Sequence, residues 1–578
     1  ESRMWRFLFL FPLFCSGDTV VVTTTRGPVR GFEVDLGNDT AQLWYGSGSV
    51  FLGIPYAQPP VDERRFKLPV DICQYDEEIN ATYYRPSCPQ PADFTFPLNN
   101  TDEDCLYLNV VSPDVAGSAP VMVYIHGGGF QTGGSSIFHW KGLLRNLASR
   151  GVVVVTINYR LGMLGFFTTF SDAFPPNRAL FDQLLALRWV KQEIAAFGGD
   201  PNRVTVFGES AGAASISAHN LSPLSRGLFH QSIQESGSIM MEFETPDSPL
   251  GSIHELRAQQ LCNVTVDEWS SPDIDSVMAN CLATKTAAEF VLYDNTENLS
   301  WNPSVDGSFL PRLPSDLALD ISTQPAIIGD MHDEYAGFVS GVYDGDVSNN
   351  SRQTLDDLFA IFYPYYDQAT LKLITDMVVE TYAPRPLAVD DHMGWTKLAS
   401  DAVTGNAFSA MMLRDVQWRK NNGAESTFLF TFNYATNIDN IACEYIDLDG
   451  WRPVGHTSEL CFIFLFPDVF DEAQANGQLQ QSDLIVADNL GRAWTDFAKT
   501  ANPGWTNSGN ERKFVTITES IEEGSDWRDS ARVLYNIAIP SIVGQFPLTP
   551  VTNATWAKLA DTGAKVLAEW NGNLCSAE

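Results

Sequence analysis

The chain is predicted to fold in the α/β class, as a large, mostly parallel, twisted sheet flanked by helices. Short β-branched or aromatic runs closed by Gly, Asp or Asn recur along it, and segments of helical period lie between several of them. The strand-like runs are "SVFLGIPYA", "APVMVYIH", "GVVVVTINYR", "RVTVFG", "PAIIGD" and "TFLFTFNYA". The clearest helix is "RALFDQLLALRWVKQEIAAFG", where Leu180, Leu184, Leu187 and Val190 or Trp189 share one face. Strands that are apolar on both faces imply a sheet covered on both sides. At 578 residues and 44% hydrophobic content the chain is long enough for a sizeable core. No internal repeat, low-complexity tract or linker interrupts it, so residues 18–578 are expected to form a single domain.

Charge narrows the partners. With 71 acidic and 36 basic side chains the formal net charge is −35. Such a surface repels phosphate backbones and anionic headgroups, so nucleic acid is not an expected partner. Near the start, Met4, Trp5 and Arg6 precede the apolar run "FLFLFPLFC", then Ser16 and Gly17. This layout predicts a signal peptide over 1–17 with cleavage near Asp18. The run is too short to span a bilayer, and none elsewhere reaches about 20 apolar residues, so stable membrane insertion is not expected. Removing Cys15 leaves an even number of the nine cysteines, as disulfides in an oxidising compartment require. Sequons at Asn38, Asn80, Asn99, Asn220, Asn263, Asn298, Asn349 and Asn553 point to a glycoprotein. The expected location is extracellular or within the secretory pathway, a lysosomal or gut lumen included.

The chemistry is centred on "VFGESAGAAS", where Ser210 sits between Gly208 and Gly212 after a buried strand and before a run of small residues. G-x-S-x-G between strand and helix makes a sharp turn in which the glycines clear room and the serine oxygen projects outward. "YIHGGGF" follows another buried strand, and its Gly128 and Gly129 free backbone amides to approach an oxyanion, joined by the amide of Ala211. Loss of one such donor typically costs on the order of 3–4 kcal/mol of transition-state stabilisation. A base downstream of the serine is sought among His332, His392 and His456; His456, in "PVGHTSEL" after a strand and a loop, is best placed. For the acid, "PAIIGDMHDEYAGF" offers Asp330, Asp333 and Glu334, between which electrostatics alone does not choose.

Taken together, "FLGIPYAQPPVDERRF", "EDCLYLNV", "YIHGGGF", "NYRLGMLGFF", "QESGS", "VGHTSELCFIF" and the long segment through the serine motif match almost end to end. The chain resembles a type-B carboxylesterase, the α/β-hydrolase family that includes cholinesterases, fungal lipases and the catalytically inactive neuroligins. The resemblance implies Ser210 as nucleophile, Glu334 as acid, His456 as base, and Gly128, Gly129 and Ala211 as oxyanion donors. It also implies the pairs Cys88–Cys105 and Cys262–Cys281, an Arg65–Glu103 ion pair that supports the fold, and Glu209 as a buried carboxylate of the site. Cys443 with Cys461 is expected around the His456 loop; Cys73 and Cys575 remain, with an intermolecular bridge from Cys575 as the competitor.

The expected reaction is hydrolysis of a carboxylic ester through an acyl-enzyme, without metal or organic cofactor, since no HExxH or paired C-x-x-C arrangement is present. Cholinesterases seat a quaternary ammonium on a Trp between the cysteines of the first disulfide. Here that loop carries Phe94 and Phe96 but no Trp, which argues against choline esters. The expected partner is therefore a small-molecule ester, with homodimer formation left open. The alternatives are a lipid or sterol esterase of the same fold, and a non-catalytic adhesion ectodomain. The filled triad positions argue against the latter.

Overall fold

The computed structural model describes residues 18–92, 98, 100–241, 243–247, 252–292, 301–364, 366–383, 385–544 and 551–575. The signal peptide expected at 1–17, Phe94, Phe96, Asn99 and Asn298 lie outside these residues.

All the described strands join in one sheet. In chain order they are β1 (Thr19–Thr24), β2 (Gly27–Asp35), β3 (Ser47–Pro55), β4 (Ile79–Asn80), β5 (Tyr107–Ser112), β6 (Ala119–Ile125), β7 (Val153–Ile157), β8 (Gly199–Glu209), β9 (Gln231–Glu235), β10 (Ala326–Met331), β11 (Thr427–Phe432), β12 (Phe514–Ile517) and β13 (Ile521–Gly524). Their spatial order is β1-β2-β3-β5-β7-β6-β8-β9-β10-β11-β12-β13, with β4 beside β2. From β7 through β12 every neighbouring pair is parallel, and antiparallel pairs close both ends.

Successive side chains of a strand point to opposite faces, and β6 feeds two cores in this way. Val121, Val123 and Ile125 join a cluster with Leu180, Leu184 and Leu187 of the helix Arg178–Glu193 and Ile216 of the helix Ala211–Leu221. Met122 and Tyr124 join another with Leu143, Phe464, Leu490 and Trp494. Each fully buried leucine contributes roughly 1.5–3 kcal/mol relative to an exposed one. Because β6, β8, β9, β10 and β11 run the same way, their C-terminal ends share one edge of the sheet, where ligand sites of parallel sheets form.

Disulfides join Cys88–Cys105, Cys262–Cys281, Cys443–Cys461 and Cys73–Cys575, with Cα–Cα distances of 5.0, 5.9, 5.1 and 5.4 Å. The last ties the C-terminal region to the residue 73 loop within one chain. Arg65 makes a two-point ion pair with Glu103, at 2.6 and 2.5 Å. Of the sequons, Asn38, Asn80, Asn263, Asn349 and Asn553 are exposed. Asn220 corrects the expectation from sequence: it lies inside the helix Ala211–Leu221, 6% exposed, and its amide donates to Ser232 Oγ and Gln234 Oε1. A glycan on that nitrogen would have to displace these bonds. No helix among the described residues is long and apolar enough to cross a membrane.

The serine-bearing helix approaches β6 so closely that a Cβ on Gly212 would stand 2.0 Å from the Ile125 carbonyl oxygen, a backbone atom that cannot step aside. Gly212→Ala is therefore expected to destabilise the fold by about 1–3 kcal/mol or more. Gly572, in the helix Asn553–Gly572, has nothing within 4 Å of a built Cβ, so Gly572→Ala should be neutral or stabilise by up to about 1 kcal/mol. Thermal unfolding midpoints of the two variants, measured side by side, check the contrast.

Candidate active site

Ser210 occupies the turn between β8 and the helix Ala211–Leu221, with φ 56° and ψ −122°. A non-glycine residue in this region stores about 1–3 kcal/mol of strain and persists only where its surroundings hold it. Here the Ser210 amide donates to the Glu235 carbonyl at 2.9 Å, its carbonyl accepts from Ala214, and the Ser236 amide reaches the Gly329 carbonyl at 2.8 Å. The turn is thus sewn to the ends of β9 and β10.

The loop after β6 lies against this turn. A Cβ on Gly127 would be 3.0 Å from the Ser210 Cβ, and one on Gly128, whose φ is 99°, would meet the Thr132 carbonyl at 2.3 Å. Glycine is required for the loop to curl this tightly. Gln90 anchors its far end by donating to the Gly133 carbonyl and accepting from the Gly133 amide. Gly128 and Gly129 are exposed, and among the described residues their amides and that of Ala211 have no hydrogen-bond acceptor. Such amides are available to an anionic oxygen.

Of the three carboxylates at and beyond the end of β10, Glu334 is the one that bonds His456. It is fully buried; its Oε1 accepts from the Met331 amide at 2.8 Å, and its Oε2 lies 2.6 Å from His456 Nδ1. Asp333 binds the backbone of the histidine loop, exchanging bonds with the amide and carbonyl of Val454 at 2.9 Å. Asp330 turns away, to Arg528, Ser409 and Thr431. His332 pairs with Asp333, and His392 Nδ1 meets the Asn350 carbonyl, so neither competes with His456. The other imidazole nitrogen, Nε2, is 3.1 Å from Glu209 Oε1, the side chain just before the serine, without hydrogen-bond alignment. The Ser210 hydroxyl itself makes no hydrogen bond to a described residue. Phe408 and Phe338 flank the ring, with centroids at 5.0 and 5.9 Å. Phe408 arrives on a π-helical turn, Thr404–Ser409, a distortion that often marks functional sites.

Beyond Glu209, the buried carboxylate that the family resemblance implied, sequence patterns did not disclose the carboxylates around this pair. Glu235, Glu459 and Glu444 join Glu209, and burial favours the protonated form of each. Glu209 and Glu459 are held well above the carboxylate range by burial first and by neighbouring glutamates second. Glu235 is pushed up to about 8 by burial, against the opposing bond from Trp494 Nε1. Glu444 is pushed up to about 7 by burial, while its 2.5 Å bond from Tyr343 opposes the shift. Among the described residues no cluster of His, Cys, Asp and Glu has the arrangement to hold a metal.

Against this geometry, a model of the carboxylesterase family matches residues 18–524. The chain belongs to the carboxylesterase family. By that membership it is classed as a carboxylic ester hydrolase. It is similar to human carboxylesterase 3, at 30% identity over 91% of this chain and 92% of the relative. To mouse cholinesterase it is 30% identical over 98% and 95% of the two chains. To gut esterase 1 of Caenorhabditis briggsae it is 34% identical over 84% and 85%. The predicted sheet flanked by helices is the architecture of this family and of this structure.

The shifted carboxyls predict a pH dependence of stability for this carboxylesterase-family chain. Glu235 binds a proton in the folded state up to about pH 8 but only to its ordinary 4.5 when unfolded, so its contribution falls as pH rises between these values. Buried His126, His139 and His219, lowered to about 4, 4 and 3, act oppositely, but only below their ordinary 6.5. Between pH 6.5 and about 8 the carboxyl contribution therefore stands out, and the unfolding midpoint should fall across that window. Glu235→Gln keeps an acceptor for Trp494 and should flatten the slope; scanning calorimetry at stepped pH reads both.

Proposed function

We propose that this chain hydrolyses carboxylic esters by two-step acyl transfer with Ser210, His456 and Glu334 as the catalytic triad. The observation that carries the reading is the 2.6 Å bond from a fully buried Glu334 to His456 Nδ1, with Nε2 directed at the Glu209–Ser210 turn. Glu334 fixes the tautomer that leaves Nε2 free as base and stabilises the imidazolium when it forms. His456 exchanges its Glu209 contact for the Ser210 hydroxyl and takes its proton as the oxygen attacks the ester carbonyl. The tetrahedral oxyanion is received by the amides of Gly128, Gly129 and Ala211. Collapse breaks the bond to the alcohol, which leaves with the proton held on Nε2. Water then repeats the sequence on the acyl-enzyme, releasing the acid and restoring the serine.

Apolar rings beside the imidazole, Phe338 56% exposed among them, favour an uncharged acyl or alkyl group beside the base. Together with the Trp-free loop this supports soluble esters of modest size over choline esters. Disulfides and exposed sequons support the proposal of a secreted, glycosylated protein, with Asn220 excluded. A single catalytic domain over residues 18–578 is proposed with it.

Ser210→Ala should lower turnover of a short-chain nitrophenyl ester by about four orders of magnitude or more while secretion and the unfolding midpoint stay unchanged. Parallel assays with micellar long-chain esters and acetylthiocholine separate the substrate readings. Faster turnover of the micellar ester would favour the lipid esterase, and retained activity of Ser210→Ala would remove Ser210 as nucleophile.

A further inference from the structure

Arg528 lies far along the chain from the triad, in a segment without any sequence signature, yet its guanidinium is spent almost wholly on the loop that carries Glu334. It stands at φ 51°, just ahead of the helix Asp529–Val533. Its Nε donates to Asp330 Oδ2 at 2.9 Å and its Nη2 to Asp330 Oδ1 at 3.1 Å. The same Nη2 reaches the carbonyls of Met331 at 2.8 Å and His332 at 3.2 Å. Asp330 is fully buried, and its remaining acceptor capacity goes to Ser409 Oγ at 2.6 Å and Thr431 Oγ1 at 3.0 Å. Three consecutive residues at the end of β10 are thereby held from one side.

The other side of the same short loop holds the base. The Met331 amide donates to Glu334 Oε1, Glu334 Oε2 meets His456 Nδ1, and the Glu334 carbonyl accepts from the His456 amide at 3.2 Å. Asp333 adds its exchange with Val454. The path from Arg528 to the imidazole thus runs through one residue, Met331, whose carbonyl is gripped by the arginine and whose amide aims the glutamate.

We propose that Arg528, acting through Asp330 and the Met331 peptide, is a positioning residue that sets the Glu334 carboxylate on His456. The inference rests on the acyl-transfer reading above. An ion pair serving only the fold would need the two side chains and nothing more, whereas this guanidinium also donates to successive carbonyls of the acid loop. Other charged or titratable groups that face it are Glu334, His332, Asp401 and Tyr382; the Asp330 carboxylate is its bidentate partner.

The test compares Arg528→Lys, Arg528→Met and Asp330→Asn in the full chain, with competent sites counted by exhaustive labelling with a fluorophosphonate. For Arg528→Met, kcat per labelled site should fall about 10- to 100-fold with KM almost unchanged, Arg528→Lys recovering most of the loss. Its pH–rate profile should shift on the acidic limb. In a Glu334→Gln background the same substitution should add less than about two-fold, because its route of action is already cut. Unchanged kcat per site with only a lowered unfolding midpoint would overturn the proposal, as would a loss that multiplies fully with that of Glu334→Gln. Should Arg528→Met fail to fold, Ser409→Ala, which removes one donor from Asp330, carries the same readouts with an expected loss of about three-fold or more. A wild-type chain inactive on every ester would sink the acyl-transfer reading itself, an outcome distinct from an active wild type with indifferent variants.

Discussion

The contact between the buried Glu334 carboxylate and His456 Nδ1 is the interaction on which the site's arrangement depends. An imidazole on a long loop has many orientations; one bonded to a carboxylate that is itself held by a backbone amide has few. The 2.6 Å bond and the 2.8 Å bond from Met331 make that hierarchy explicit. Around it, the parallel strands bring the glycine loop after β6, the strained serine after β8 and the acid after β10 to one edge. The histidine loop after β11 spans the remaining gap and is pinned at Val454 by Asp333 and at Cys461 by its disulfide to Cys443.

A chain with a formal charge of −35 also buries several glutamates beside this pair. The two facts are compatible because burial changes their protonation. Removing a carboxylate from water is so unfavourable that the group holds its proton instead, and mutual proximity strengthens the effect. Glu209, Glu235 and Glu459 therefore need not add their full charges beneath the proposed nucleophile. The exposed acidic residues, which remain solvated, account for the negative field of the surface.

Much of this was legible in one dimension. Every strand inferred from sequence corresponds to β3, β6, β7, β8, β10 or β11, since runs such as "VVVVT" and "FLFTF" are too uniformly apolar for a half-exposed strand. β9 escaped because "QSIQE" looks like surface; its polar side chains are buried, and Glu235 Oε1 accepts from the distant Trp494. The sequon at Asn220 misled for the converse reason: a three-residue pattern carries no information on burial, and this one falls in a core helix. Cys73 and Cys575 were only the pair left over, with an intermolecular bridge as competitor, because a pairing 502 positions apart leaves no local pattern.

The sequence by itself determined the fold class and the neighbourhood of each site group. Hydrophobic period and glycine spacing act over a few residues, and those are the distances at which a string of letters preserves physics. Tertiary structure alone decided which of Asp330, Asp333 and Glu334 meets the imidazole on geometric grounds, since all stand within a few residues and differ only in what packs against them. It also decided that Arg528 grips the acid loop and that burial pushes Glu209, Glu235 and Glu459 toward the protonated form. Both depend on desolvation and on contacts between residues remote in the chain, which exist only once the sheet has assembled.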